Sequence, residues 1–151
     1  MTVTSASKHS PALPHLLMFA GVLPFLAGAV LLLAGVSSLP VLGLTSSAVA
    51  SYGLVIVIFL TGIHWGQQLS LGKAASGLFI FSNVIGVMVW LAWLLIPQRY
   101  FLVFLVLPFT AILAVDRKLM NTGVMARAYL RSRAAITLLV IFCLLVTASL
   151  S

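Results

Sequence analysis

Between Ala48 and Gln68 the chain reads AVASYGLVIVIFLTGIHWGQQ, a stretch without one Asp, Glu, Lys or Arg. A hydrocarbon core about 30 Å thick needs about 20 such residues at 1.5 Å of helical rise each. Lipid offers the backbone no hydrogen bonds, so a segment of this kind has to close its own bonds as a helix. The surroundings extend the reading: no Asp, Glu, Lys or Arg occurs anywhere between Lys8 and Lys73. Hydrophobic residues make up 63% of the 151 residues and charged ones 6%, where a soluble domain carries roughly a quarter charged.

Four further apolar stretches complete the pattern, so the spacing predicts spans over about 15–35, 48–68, 75–96, 100–116 and 133–150. The expected fold is an all-α integral membrane bundle of five transmembrane helices, occupying residues 14–151. Residues 1–13 are polar and Ser/Thr-rich and read as a disordered cytoplasmic tail. The apolar run after Lys8 is too long for a signal peptide and is expected to remain as the first span. Ser37-Ser38-Leu39-Pro40 breaks the chain after that span, and Thr45-Ser46-Ser47 offers caps for the next helix. Pro24 and Pro108 fall inside spans and predict local kinks.

Orientation follows from the basic residues. Lys8, Lys73, Arg117, Lys118, Arg127, Arg131 and Arg133 share one side of a five-span chain, and Arg99 alone falls on the other. The positive-inside bias then places the N-terminus in the cytoplasm and the C-terminus outside. Tyr52, Trp90, Trp93 and Tyr100 fall near the outer interface, Trp65 and Tyr129 near the inner one. The net charge of +7 is accounted for by this bias, so nucleic acid is not an expected partner. Arg117, Lys118, Arg127 and Arg131 are placed to meet anionic lipid headgroups, with 124–133 as a short interfacial helix.

The spans carry a polar set confined to the cytoplasmic half. Thr61, His64 and Gln68 lie on one helical face; Asn83, Asp116, Arg133 and Thr137 lie at a similar depth. Such groups turn inward, because facing lipid costs each of them a few kcal/mol. They make either a cytoplasm-facing pocket or a set of interhelical hydrogen bonds that hold the bundle together, and the second reading is preferred. Gly62 and Gly66 flank His64 in a small-x-x-x-small motif that predicts a close helix contact. Asp116, the sole acid, is expected to pair with Arg133 at the membrane edge. His15 and His64 without thiol or carboxylate support make a poor metal site, and neither a metal nor a cofactor is expected. One carboxylate cannot supply an acid and a base together, and no Ser-His-Asp pattern or phosphate loop occurs, so an enzyme is not expected.

Four pieces resemble an uncharacterised membrane family, domain of unknown function 3429, whose eukaryotic relatives include transmembrane protein 69. They are LPHLLMFAGVLPFLAG, SYGLVIVIFLTGIHWG, the Trp-containing third span, and LAVD followed by AYLRSRAAIT. The chain departs from the family pattern at Ala128, where an aromatic precedes Tyr129 in the family. The resemblance implies a small multi-span protein of the bacterial inner (plasma) membrane and brings no activity with it. It also singles out His64, Trp65, Asp116, Tyr129, Arg133 and Thr137. The leading functional expectation is a non-enzymatic accessory, assembly or interaction component, with a membrane-protein partner or a second copy. An oligomeric transporter or channel around His64 is the alternative, and a haem- or quinone-binding electron-transfer subunit the weaker one.

Overall fold

The computed structural model describes residues 16, 18–71, 77–121 and 127–151, and the side chains of these except 70, 71, 121, 127 and 128. The tail 1–13, His15, Lys73 and the turn at 121–123 fall wholly or partly outside that set. Helix α1 (Leu23–Leu33) is the main part of an apolar helix, Met18–Leu33. A two-stranded hairpin follows, β1 (Ser38–Leu39) antiparallel to β2 (Gly43–Leu44), with Ser38 opposite Leu44 and Leu39 opposite Gly43. Then come α2 (Thr45–Leu71), α3 (Gly77–Leu95), α4 (Gln98–Phe104), α5 (Val106–Asn121) and α6 (Arg127–Leu150).

Four helices are long and apolar enough to cross a membrane: Thr45–Leu69, Gly77–Leu95, the joined Gln98–Met120 and Tyr129–Leu150. Met18–Leu33 is shorter. The outward faces fit a lipid solvent. Phe59, Trp90, Leu94, Leu138 and Phe142 are all exposed, a coating that water would penalise and hydrocarbon does not.

α2 is the centre of the bundle and packs against α1, α3, α4, α5 and α6. α6 closes the other side against α1, α4 and α5. Phe25, Val57, Phe101, Leu102, Leu105, Ile112 and Leu144 fill the space between them, each almost fully buried. The chain direction gives the bundle two ends, a hairpin end (Leu33, Thr45, Leu95, Gln98, Leu150) and an opposite end (Leu71, Gly77, Asn121, Arg127).

The break after α1 is built by glycine. Gly35 has φ +81°, its N–H bonds Leu32 O at 3.0 Å, and the Val36 N–H bonds Leu31 O at 2.8 Å. This is the paired arrangement that ends a helix on a left-handed residue. Thr45 then starts α2, three residues before the expected boundary. Its N–H reaches Ser37 O at 2.9 Å and its hydroxyl reaches Val36 O at 2.9 Å. Both span prolines stand in the first turn of a helical segment, Pro24 in α1 and Pro108 in α5 after the interruption at Leu105. There the missing N–H has no intrahelical partner to lose, so each proline marks a restart of the helix. One expectation changes. Residues 127–133 form no separate interfacial helix; they are the first turns of α6, continuous with the span.

Candidate functional site: a charged centre between three helices

The Asp116 carboxylate lies at the crossing of α2, α5 and α6, and both of its oxygens are engaged. Oδ1 stands 2.8 Å from Nε2 of His64, and Oδ2 accepts from Nε of Arg133 at 3.0 Å. His64 is 1% exposed, Asp116 3% and Arg133 8%, so the three groups are inside the protein rather than at its edge. The expected Asp116–Arg133 pair therefore exists, but it is buried and has a third member from α2.

Each partner is placed by helical arithmetic. Arg133 stands near the start of α6 and Asp116 near the end of α5, so the antiparallel neighbours bring them level. Thr61, His64 and Gln68 share the inward face of α2 and are all buried. Thr137 is one turn beyond Arg133 and equally buried. The Thr61 hydroxyl donates to Ile58 O at 2.8 Å within its own helix. On α3, Phe81 stands against the imidazole with ring centroids 6.0 Å apart.

The hydrogen-bond geometry fixes the imidazole. A carboxylate already bonded to a guanidinium offers only acceptors, so Nε2 carries the proton and donates to Oδ1. That leaves Nδ1 of His64, which is buried and has no hydrogen-bond partner among the described residues. Arg133 spends one of its five N–H groups on Asp116. Beside it, Arg133 and Thr137 line a cavity of about 90 Å³ walled by α1, α2 and α5. Chemically the centre can bind three helices together, hold a proton, and solvate a small polar species.

Other residues from the polar set lie elsewhere. Asn83 is exposed on α3 and donates to Phe79 O at 2.8 Å, so it satisfies its own helix and takes no part in the centre. Gly62 and Gly66 face outward, and a Cβ built on either meets nothing within 4 Å. Among the described residues, the close helix contact expected there is not made. It is made by other glycines: a Cβ on Gly28 would meet Val49 Cγ2 at 2.1 Å, and one on Gly53 would meet Leu105 Cδ1 at 2.6 Å. Arg117, Lys118 and Arg131 are exposed, and the side chain of Arg127 falls outside the described residues. Among the described residues no group of three or more His, Cys, Asp or Glu could hold a metal ion.

Sequence reasoning missed a second polar cluster at the hairpin end. Ser47 donates to Oε1 of Gln98, and Nε2 of Gln98 donates to Ser46 Oγ at 2.6 Å. These bonds tie the first turn of α2 to the first turn of α4. The signal was a glutamine placed straight after Pro97, which reads as a turn residue until the fold sets it against the α2 cap. Tyr52, half-buried, likewise donates to Gly21 O at 3.1 Å and links α2 to the break in front of α1.

The chain belongs to the family described as Protein of unknown function (DUF3429), whose sequence model matches residues 10–149. No curated protein and no solved structure matches it.

Proposed function

We propose that this chain is a non-enzymatic accessory, assembly or interaction component of the bacterial inner membrane. In this reading it crosses the bilayer five times, N-terminus in the cytoplasm and C-terminus outside. The observation that carries the proposal is the division of labour on α2. Its polar face turns inward, where His64 meets Asp116, while its small-x-x-x-small face at Gly62 and Gly66 is open among the described residues. A notch of that kind lets another helix approach closely, and van der Waals packing at small residues drives association where lipid supplies no hydrophobic difference. Met18–Leu33 supports a fifth crossing because it is apolar and packed along α2 and α6. Orientation rests on the seven-to-one distribution of basic residues, and the exposed Arg117, Lys118 and Arg131 suit anionic headgroups.

Purification in mild detergent tests the function. The wild-type chain should bring down a partner membrane protein or run as an oligomer, and Gly66→Leu should release it while remaining folded. Identical particle mass and composition for the two chains would end the interaction reading. For topology, a reporter active only in the periplasm should work at the C-terminus and be silent at Asn121; activity at Asn121 would overturn the orientation.

The cavity beside Arg133 favours one second reading, an oligomeric transporter or channel that uses the charged centre. Flux of small ions into liposomes, lost in Arg133→Gln, would favour it over the accessory role.

A further inference from the structure

We propose that the cavity beside Arg133 binds a small monovalent inorganic anion, and that this binding is linked to uptake of a proton on Nδ1 of His64. The site goes beyond the interaction reading and does not depend on it.

The argument begins with charge balance. With His64 neutral, Asp116 and Arg133 cancel, and the centre is neutral overall. Nδ1 is the free lone pair of that imidazole, buried and without a partner among the described residues. A proton there would leave one uncompensated positive charge among α2, α5 and α6. A net charge in a low-dielectric interior is costly unless an opposite charge sits close by. Asp116 is the only acid in the whole chain, and it is already counted. The compensating negative charge has to come from outside.

No neighbouring element supplies it. α3 and the described part of α1 carry no titratable side chain. α5 adds only the exposed Arg117 and Lys118, and α4 the exposed Arg99 and Tyr100 at the hairpin end. α6 adds exposed Arg131, half-buried Tyr129 and Cys143, the last in the apolar core. Every permanently ionised group in this surrounding set is positive.

The cavity provides both the room and the contacts. Its polar lining residues are Arg133, which has four N–H groups beyond the one used on Asp116, and Thr137 one turn further along α6. Gly21, Phe25 and Phe109 contribute apolar wall. A volume of about 90 Å³ gives room for a halide or nitrate. Asp116 joins the two groups, because one oxygen is bonded to Nε2 of the imidazole and the other to Nε of Arg133, the residue that lines the cavity. Linkage is reciprocal: the anion must raise proton affinity by the same factor as the proton raises anion affinity.

The experiment uses the full chain in nonionic detergent, with sodium chloride or nitrate against sodium gluconate at equal ionic strength. Thermal midpoints are compared in acidic and mildly alkaline buffer, and proton uptake on adding chloride is followed in weak buffer. Chloride should raise the midpoint above gluconate in acid and lose this effect in alkali. The apparent chloride affinity should fall by up to about ten-fold per pH unit, as for one proton per anion. Chloride should also draw protons from the medium. His64→Gln should abolish proton uptake, and Thr137→Ile, which fills the cavity and leaves the three charged groups intact, should abolish the chloride effect. Should His64→Gln fail to fold, wild-type proton uptake and Thr137→Ile decide the matter. Chloride and gluconate acting alike at both acidities would mean the cavity holds only water, and would overturn the proposal. A chloride effect without proton uptake, or one that survives Thr137→Ile, would overturn it equally.

Discussion

The two ends of α2 are held to their neighbours by different physics. Toward the hairpin, Gly53 lets Leu105 approach, and Val49 sits in the space that Gly28 leaves on α1. Toward the other end the helix carries outward-facing glycines and an inward-facing histidine, and the contact is a hydrogen-bonded charged centre. In water both ends would also gain from burying apolar surface. In lipid that gain largely vanishes between helices, leaving close packing and polar bonds as the two means of association. The first is short-ranged and depends on volume. The second depends on pairing, and so it fails badly when one partner is removed.

That contrast ranks the substitutions. Asp116→Ala should be the most damaging, at about 3–5 kcal/mol, because it strands the Arg133 charge and the His64 donor together. Unfolding in detergent measures it, and the loss should exceed that of any single apolar truncation of similar size. Asp116→Asn and Arg133→Gln should together cost less than their sum, by about 0.5–3 kcal/mol of coupling. Strict additivity would show that the centre contributes no pairing energy.

His64→Leu comes next, at about 1.5–3 kcal/mol, the usual loss of a hydrogen bond to a charged group. Gly28→Leu tests the other end of α2. The first added carbon already meets Val49 Cγ2 at 2.1 Å, and overpacking of this kind costs about 1–3 kcal/mol. Its counterpart, Gly66→Leu, meets nothing and removes a helix-interior glycine, so it should be neutral or stabilise the isolated chain by up to about 1 kcal/mol. If Gly66→Leu destabilises the monomer as much as Gly28→Leu does, the assignment of tight and open faces is wrong. The smallest effects belong to Asn83→Ala and Thr110→Val. Both side chains are exposed and bond only to carbonyls of their own helices, so each should stay within about 0.5 kcal/mol.

Much of the centre was legible before any fold was known. Scarcity pointed to Asp116, the face of α2 pointed to Thr61, His64 and Gln68, and the antiparallel return of the chain pointed to Arg133. The same reasoning misplaced Asn83, because a polar residue in a span can bond the carbonyl one turn back and then face lipid at small cost. It assigned a close contact to Gly62 and Gly66, whereas among the described residues the tight contacts are at Gly28 and Gly53. Small-x-x-x-small spacing says that a helix can be approached, and Gly62 and Gly66 satisfy it as well as any pair. Which glycine faces a neighbour depends on the rotation of α2 about its axis, and here His64 points inward while Gly62 and Gly66 point outward.

The sequence alone determined the class of solvent, the helical content and the identity of most chemically active residues. These follow from composition and from periods of one helix turn, which are local properties. Only the tertiary structure decided that His64 completes the Asp116–Arg133 pair, and that the pair is buried inside the protein. It also decided that Gln98 closes the far end with Ser46 and Ser47. Those contacts join residues about fifty positions apart across helices whose relative rotation and depth no local pattern encodes.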